Sequence, residues 1–317
     1  MRLGIGSALS KSQVINPTAI PGLVLWINAK KENLYTNVEG TTPVTADGDY
    51  IGQIKNLAPG DANGNKLGSF LRRRANSTGS GGISVWSALY KEGVANWQPY
   101  LSFPTVSYAG YSAGVFGNLD GSEDMTDWGG ISATQLSNLQ MGSQNITTFA
   151  IVQPSDDDDS EYMVLGTRSR ENGTTNDGYF HVSRTNSETY RSIYLQNGAS
   201  DIFEIASSGT YADTNLHYIR TVAKAGTDNT TIKIDGTVGS TTDTMDENYP
   251  FDFNATVAGT ANVFIGHEPP VDLVPGSFGG KHFEGKIYEV LVYAGALSDA
   301  NIAFIETYLS NKYGVTV

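Results

Sequence analysis

A β-strand reading Glu-x-Asp-x-Glu would set three carboxylates on one face, where a nucleophile and an acid can flank a glycosidic bond. This chain has no such spacing. Glu284 and Glu289 are five residues apart and fall on opposite faces of a regular strand. Glu123, Asp124 and Asp127 sit in a Gly-rich stretch that reads as a turn. The four histidines, His181, His217, His267 and His282, form neither H-x-H nor H-E-x-x-H. Each reads as a packed or edge residue of a strand. There is no cysteine and no G-x-S-x-G, so nucleophilic catalysis has no motif behind it. No P-loop or dinucleotide fingerprint is present. The expectation is a protein without catalysis. The alternative, a polysaccharide-active enzyme, would need carboxylates distant in sequence to meet in space.

Binding chemistry has more to offer. Asp156–Asp159 with Glu161 concentrates hard oxygen ligands, so Asp156 and Asp158 are the candidates for calcium. The spacing is not that of an EF-hand loop, and a solvated acidic loop is the other reading. Trp86 and Trp128 lie beside turn residues and are candidate stacking platforms for a sugar ring, with core packing as the alternative. Trp26 and Trp97 read as core. Arg72, Arg73 and Arg74 form the one basic run, read as a solvated loop, an intersubunit salt bridge or a contact to an anionic sugar.

Elements must position these residues. The chain has 317 residues, 36 of them Gly and only 17% charged, with Tyr, Thr, Val and Ile in short runs. That is the composition of an all-β protein with many turns. The net charge of −13 falls entirely on residues 141–317, because residues 1–140 hold ten basic and ten acidic side chains. Nucleic acid is excluded as a partner, since phosphate binding needs a basic face. No stretch approaches the roughly 20 apolar residues of a membrane span, and the first residues lack the apolar core of a signal peptide.

The closing block is the most legible. Lys286–Tyr293 reads as a strand apolar on both faces, with Ile287, Leu291 and Tyr293 on one and Tyr288, Val290 and Val292 on the other. Such a strand must be covered twice. One cover is the opposite sheet, the other the following helix or the N-terminal arm. Glu289 would then sit among apolar groups and need a donor. The helix is capped by Ser298 and Asp299, carries the stripe Ile302, Ile305 and Leu309, and closes at Lys312 and Gly314. Upstream, Thr147–Gln153, Tyr162–Gly166, Tyr179–Ser183 with Tyr190–Leu195, His217–Lys224, Thr231–Val238 and Val263–Gly266 read as strands. Asp235-Gly236 between β-branched runs marks a tight hairpin, whose two central residues need positive φ.

Taken in order, these blocks resemble the laminin-G-like, concanavalin-A-like jelly rolls common in bacteriophage and bacterial surface proteins. Leu23–Ala29 is similar to the opening "LVLWLDA" strand, with Asn28 where Asp is usual. Trp97–Phe103 and Val115–Gly121 resemble the "P-x-L" and "F-x-G" strands, and Lys233–Gly236 the "YVDG" hairpin. The resemblance implies an all-β, concanavalin-A-like jelly-roll β-sandwich with a short C-terminal helix. Residues 1–20 read as an N-terminal docking arm and 21–317 as one elaborated sandwich, with 83–128 as an insertion. It further implies a bacteriophage virion protein, a fibre or capsid-decoration subunit made in the host cytoplasm. Such a subunit would bind host-surface glycan or other virion proteins. A homo-oligomer, a trimer above all, is expected, with neutral residues 1–140 at its interface and no cofactor beyond calcium.

Overall fold

A computed structural model of the chain describes residues 16–37, 40–60, 70–72, 88–93, 98–103, 115–118, 130–132, 146–155, 162–169, 178–184, 189–195, 202–211, 213–223, 231–239, 260–266 and 283–317. They hold strands β1 (Leu23–Asn28), β2 (Leu34–Tyr35), β3 (Gln53–Lys55), β4 (Phe70–Arg72), β5 (Leu89–Lys91), β6 (Tyr100–Phe103), β7 (Val115–Asn118), β8 (Gly130–Ser132), β9 (Ile146–Pro154), β10 (Tyr162–Ser169), β11 (Gly178–Arg184), β12 (Tyr190–Leu195), β13 (Ile202–Ala206), β14 (His217–Ala223), β15 (Thr231–Ile234), β16 (Thr237–Val238), β17 (Thr260–Ile265) and β18 (Gly285–Ala294). An α-helix, α1, spans Asp299–Tyr313.

Two antiparallel sheets result. The first runs β16-β15-β14-β9-β18-β6-β5, with β1 also on β18. The second runs β13-β12-β11-β10-β17-β7-β4-β3-β2, with β8 also on β17. The all-β jelly-roll sandwich with a closing helix is thus the fold. Strands β5, β6 and β7, within residues 83–128, are members of the two sheets.

Alternating side chains of both sheets meet in one core, in which Ile27, Leu101, Val152, Ile219 and Ile287 of the first face Ile54, Val164, Val182, Tyr190 and Ile265 of the second. The outer face of the first sheet is buried as well. Phe149, Tyr218, Leu291 and Tyr293 pack there against Ile302, Ile305, Leu309 and Tyr313 of α1. Ile20 joins this second core, and the Tyr293 hydroxyl donates to the carbonyl of Pro17 at 3.1 Å. Helix and entry segment together therefore supply the second cover. Residues 16–20, the last of the expected arm, are docked by that contact, while 1–15 lie outside the described residues.

The phase of β18 differs from the regular alternation. Ile287 lies opposite Val152 and Glu289 opposite Ile151, so Tyr288 is an extra residue in a β-bulge. The bulge shifts every later side chain by one face. Ile287, Val290 and Val292 point into the sandwich, while Tyr288, Leu291 and Tyr293 face α1. It also sets Glu289 under the helix.

Helix α1 ends as its sequence indicates. The Ser298 hydroxyl accepts from the Asn301 amide at 3.3 Å, and Gly314 closes the helix at φ 71°. The β15–β16 turn is equally local. Asp235 and Gly236 sit at φ 46° and 84°, and Ile234 pairs with Thr237.

Candidate functional site

Three polar clusters stand out among the described residues. The first surrounds Glu289, which is fully buried. Its Oε1 accepts from Trp26 Nε1 at 2.5 Å and from the Tyr308 hydroxyl at 2.8 Å. Its Oε2 accepts from Lys312 Nζ at 2.8 Å and the Tyr313 hydroxyl at 2.7 Å. Four donors from β1 and α1 thus saturate one carboxylate of β18. The donor expected for Glu289 is present fourfold. Burial, and next the Glu289 charge, hold the Tyr308 and Tyr313 phenols well above their ordinary range.

The second cluster is its mirror. Glu306 of α1 reaches down to the sheet and accepts from the Tyr218 hydroxyl at 2.9 Å, Arg220 Nη1 at 3.1 Å and Lys233 Nζ at 3.1 Å. One acid rises from sheet to helix and one descends from helix to sheet. Both carboxylates act as clamps on the α1 interface: Glu289 through both oxygens, Glu306 through Oε1.

The third cluster centres on His217, at the start of β14 and 2% exposed. Its Nδ1 lies 2.7 Å from Asp235 Oδ2, and its Nε2 lies 2.9 Å from Asp213 Oδ1. The rings of Tyr190 and Tyr211 pack edge-on at 5.7 and 5.3 Å. Asp235 also accepts from the Tyr218 amide at 2.8 Å, so it joins β14 to the β15–β16 turn. Partial burial pushes the Asp213 carboxyl up, but the Asn215 amide and His217 outweigh it and hold the group below the ordinary aspartate range. A histidine that serves as catalytic base keeps one ring nitrogen for the nucleophile. In His217 both nitrogens face carboxylates. The nearby Ser207 hydroxyl is engaged by the Tyr190 amide and the Gly209 carbonyl. His217 is therefore a packed pin, in line with its reading from the sequence.

This pin makes a stability prediction. His217→Phe keeps the ring packing but removes two hydrogen bonds to charged groups, each worth about 1.5–3 kcal/mol. A loss of about 3 kcal/mol is expected in urea unfolding. Asp213→Asn, at a side chain 40% exposed, should cost less than about 1 kcal/mol. Equal losses in the two variants would refute the assignment of His217 as the pin.

The residues singled out in the sequence are not gathered by these clusters. Arg72 is the last residue of β4, paired with Gln53 and Phe116. Trp86, Trp128, Asp156, Asp158, Arg73 and Arg74 lie outside the described residues, as does Trp97. Trp26 is half-buried against the helix-side core and donates to Glu289. The described residues hold no group of three or more His, Asp or Glu placed to bind a metal ion. Nor do they include a helix long and apolar enough to cross a membrane. Asp213, Asp235 and Glu306 were missed as partners. Asp235 was visible only as a turn residue, and nothing in the local pattern links it to a histidine 18 positions earlier.

Comparison with known proteins places the sandwich. The family model for the concanavalin A-like lectin/glucanases superfamily, Laminin_G_3, matches residues 129–303. No curated protein sequence matches the chain. Among solved structures, the Ruminococcus gnavus IT-sialidase CBM40 bound to α2,3-sialyllactose is similar at 18% identity and a TM-score of 0.39, over 51% of this chain and 81% of that one. A Trypanosoma rangeli sialidase is similar at 12% identity and a TM-score of 0.43, over 92% of this chain and 33% of that one. The native heptameric SAP-like pentraxin from Limulus polyphemus is similar at 11% identity and a TM-score of 0.37, over 52% and 70%.

Proposed function

The chain belongs to the concanavalin A-like lectin/glucanases superfamily, and from that premise we propose that it is a lectin-like structural subunit of a bacteriophage virion, binding host-surface glycan without cleaving it. The family match across residues 129–303 carries the reading, because it covers the body of the sandwich. The step from fold to ligand is one of class, since one fold hosts many functions. Binding rather than hydrolysis is supported by the two clamped acids. Glu289 is fully buried with both oxygens bonded and is not poised as acid or nucleophile, and Glu306 is held through Oε1 by three donors of the sheet. The virion context is supported by the order of the family-like blocks and by the polar, Gly-bearing segment 1–15, which suits docking on another subunit. A closed homotrimer joined through the neutral residues 1–140 fits the same reading.

The test is the purified protein on a glycan array, with release of reducing ends measured on the same glycans. Retention of one or more glycans with no new reducing ends is expected. Reducing ends released from any of them would make the protein an enzyme. Absence of retention together with incorporation into a phage particle would leave a packing subunit without a lectin role.

A further inference from the structure

Strand register places one row of side chains on the outer face of the first sheet. Tyr50 bridges Leu89 of β5, Leu89 pairs with Ser102 of β6, Ser102 with Lys286 of β18, and Lys286 with Gln153 of β9. These five residues form a single row across the strands. The next row, Tyr90, Leu101, Ile287 and Val152, is buried in the core between the sheets. The first row therefore points to the outer face. At the strand spacing of about 4.8 Å the row is about 19 Å long.

Its side chains are accessible and of mixed chemistry. Tyr50 is 42% exposed, one of two large apolar side chains so exposed among the described residues. Leu89, Ser102, Lys286 and Gln153 are half-buried. Gln153 orients the centre of the row: its Oε1 accepts from Lys286 Nζ and from the Tyr288 hydroxyl, both at 3.1 Å, and its Nε2 donates to the Thr214 carbonyl at 2.8 Å. Lys286 also lies 5.1 Å over the ring of Tyr100. It makes no ion pair among the described residues, unlike Lys91 of β5, which is held by Asp47 at 3.0 Å. An ammonium fixed by an amide and a ring, with no counter-charge among the described residues, stands out in a chain of net charge −13. The hydroxyls of Tyr50, Ser102 and Tyr100 have no partner among the described residues either.

We propose that this row, Tyr50–Leu89–Ser102–Lys286–Gln153, is a binding strip for an acidic glycan. The inference rests on the lectin reading above and adds the place and the ligand class. Tyr50 and Leu89 offer the apolar surface on which a sugar ring stacks. Ser102 and the Tyr100 hydroxyl bond to sugar hydroxyls. Lys286 supplies the charge that a sugar carboxylate neutralises, with two of its three N–H donors still available. Charge complementarity at one preset cation selects an acidic sugar over a neutral one, because a neutral ring leaves that cation uncompensated.

The experiment compares the full chain with Tyr50→Ala, Lys286→Gln, Lys286→Arg and Lys55→Gln, an exposed lysine on the opposite sheet. Each is titrated with oligogalacturonate and with maltohexaose, after thermal melts establish that it is folded. Wild type is expected to bind oligogalacturonate, more weakly as salt rises, and not maltohexaose. Tyr50→Ala and Lys286→Gln should each weaken binding by about tenfold or more. Lys286→Arg should retain most of it, and Lys55→Gln all of it. Unchanged binding in Tyr50→Ala and Lys286→Gln would move the site elsewhere and overturn the strip while leaving the lectin reading intact. Binding of maltohexaose alone would overturn the acidic ligand. Failure to bind any glycan on the array would overturn both.

Discussion

Replacing Glu289 by leucine is expected to cost about 3–5 kcal/mol of stability, the penalty for stripping one partner from a buried ion pair. The reason is what the substitution leaves behind. Lys312, whose side chain is 15% exposed, would be a nearly buried ammonium without a counter-charge. The Tyr308 and Tyr313 hydroxyls and the Trp26 indole N–H would lose the acceptor they share. At this size the loss corresponds to a fall of roughly 10 °C in melting temperature. The double variant Glu289→Leu, Lys312→Met should recover part of the loss, because it removes the stranded charge together with its partner. A single variant within about 1 kcal/mol of wild type, which is the range of exposed ion pairs, would show that the cluster does not hold α1 to the sheet.

Alkali is expected to unfold the protein in one steep step. Burial raises the phenols of Tyr190, Tyr218, Tyr293, Tyr308 and Tyr313 above the ordinary value of 10.0, and neighbouring Glu306 and Glu289 raise all but the first further. A raised folded-state pKa stabilises in full below the unfolded value. That contribution is lost as pH climbs past about 10, where the unfolded chain releases protons that the folded one keeps. Each such tyrosine then removes about 1.4 kcal/mol per pH unit, and five together about 7 kcal/mol. A typical stability of about 5–15 kcal/mol is exhausted within about two units. Tyrosinate absorbance and far-ultraviolet circular dichroism, followed on one pH series, should therefore change together. Smooth ionisation of all 17 tyrosines near pH 10 with the dichroism intact would contradict the burial of these rings.

Apart from Tyr190, both expectations concern the interface between α1 and its sheet, and much of that interface is legible in the linear chain. Ser298, the stripe of Ile302, Ile305 and Leu309, and Gly314 define α1 from local physics alone, since a cap, a 3.6-residue period and a left-handed terminus involve only near neighbours. Asp235-Gly236 defines its turn for the same reason: two adjacent residues tolerate the positive φ that a two-residue hairpin demands. The ordered β-rich blocks likewise declare a sandwich, because alternation and turn residues repeat along the chain at strand length. The doubly apolar β18 declares that something must cover its second face.

Tertiary structure decided the rest. Alternation places Glu289 with Ile287, yet the extra residue Tyr288 shifts the later part of β18 by one face and sets Glu289 beneath α1. A bulge is a matter of pairing with β9, and a period of two carries no trace of it. The donor from Trp26 arrives across 263 residues, and the two aspartates on His217 come from a loop and a hairpin that only the sheet brings together. The row from Tyr50 to Gln153 is scattered over five separate segments and becomes a surface only when the strand register is set. Local sequence determines which elements form, because propensity, capping and turn chemistry act over a few residues. Which side chains meet is determined by register and packing, which act between segments that sequence order keeps apart.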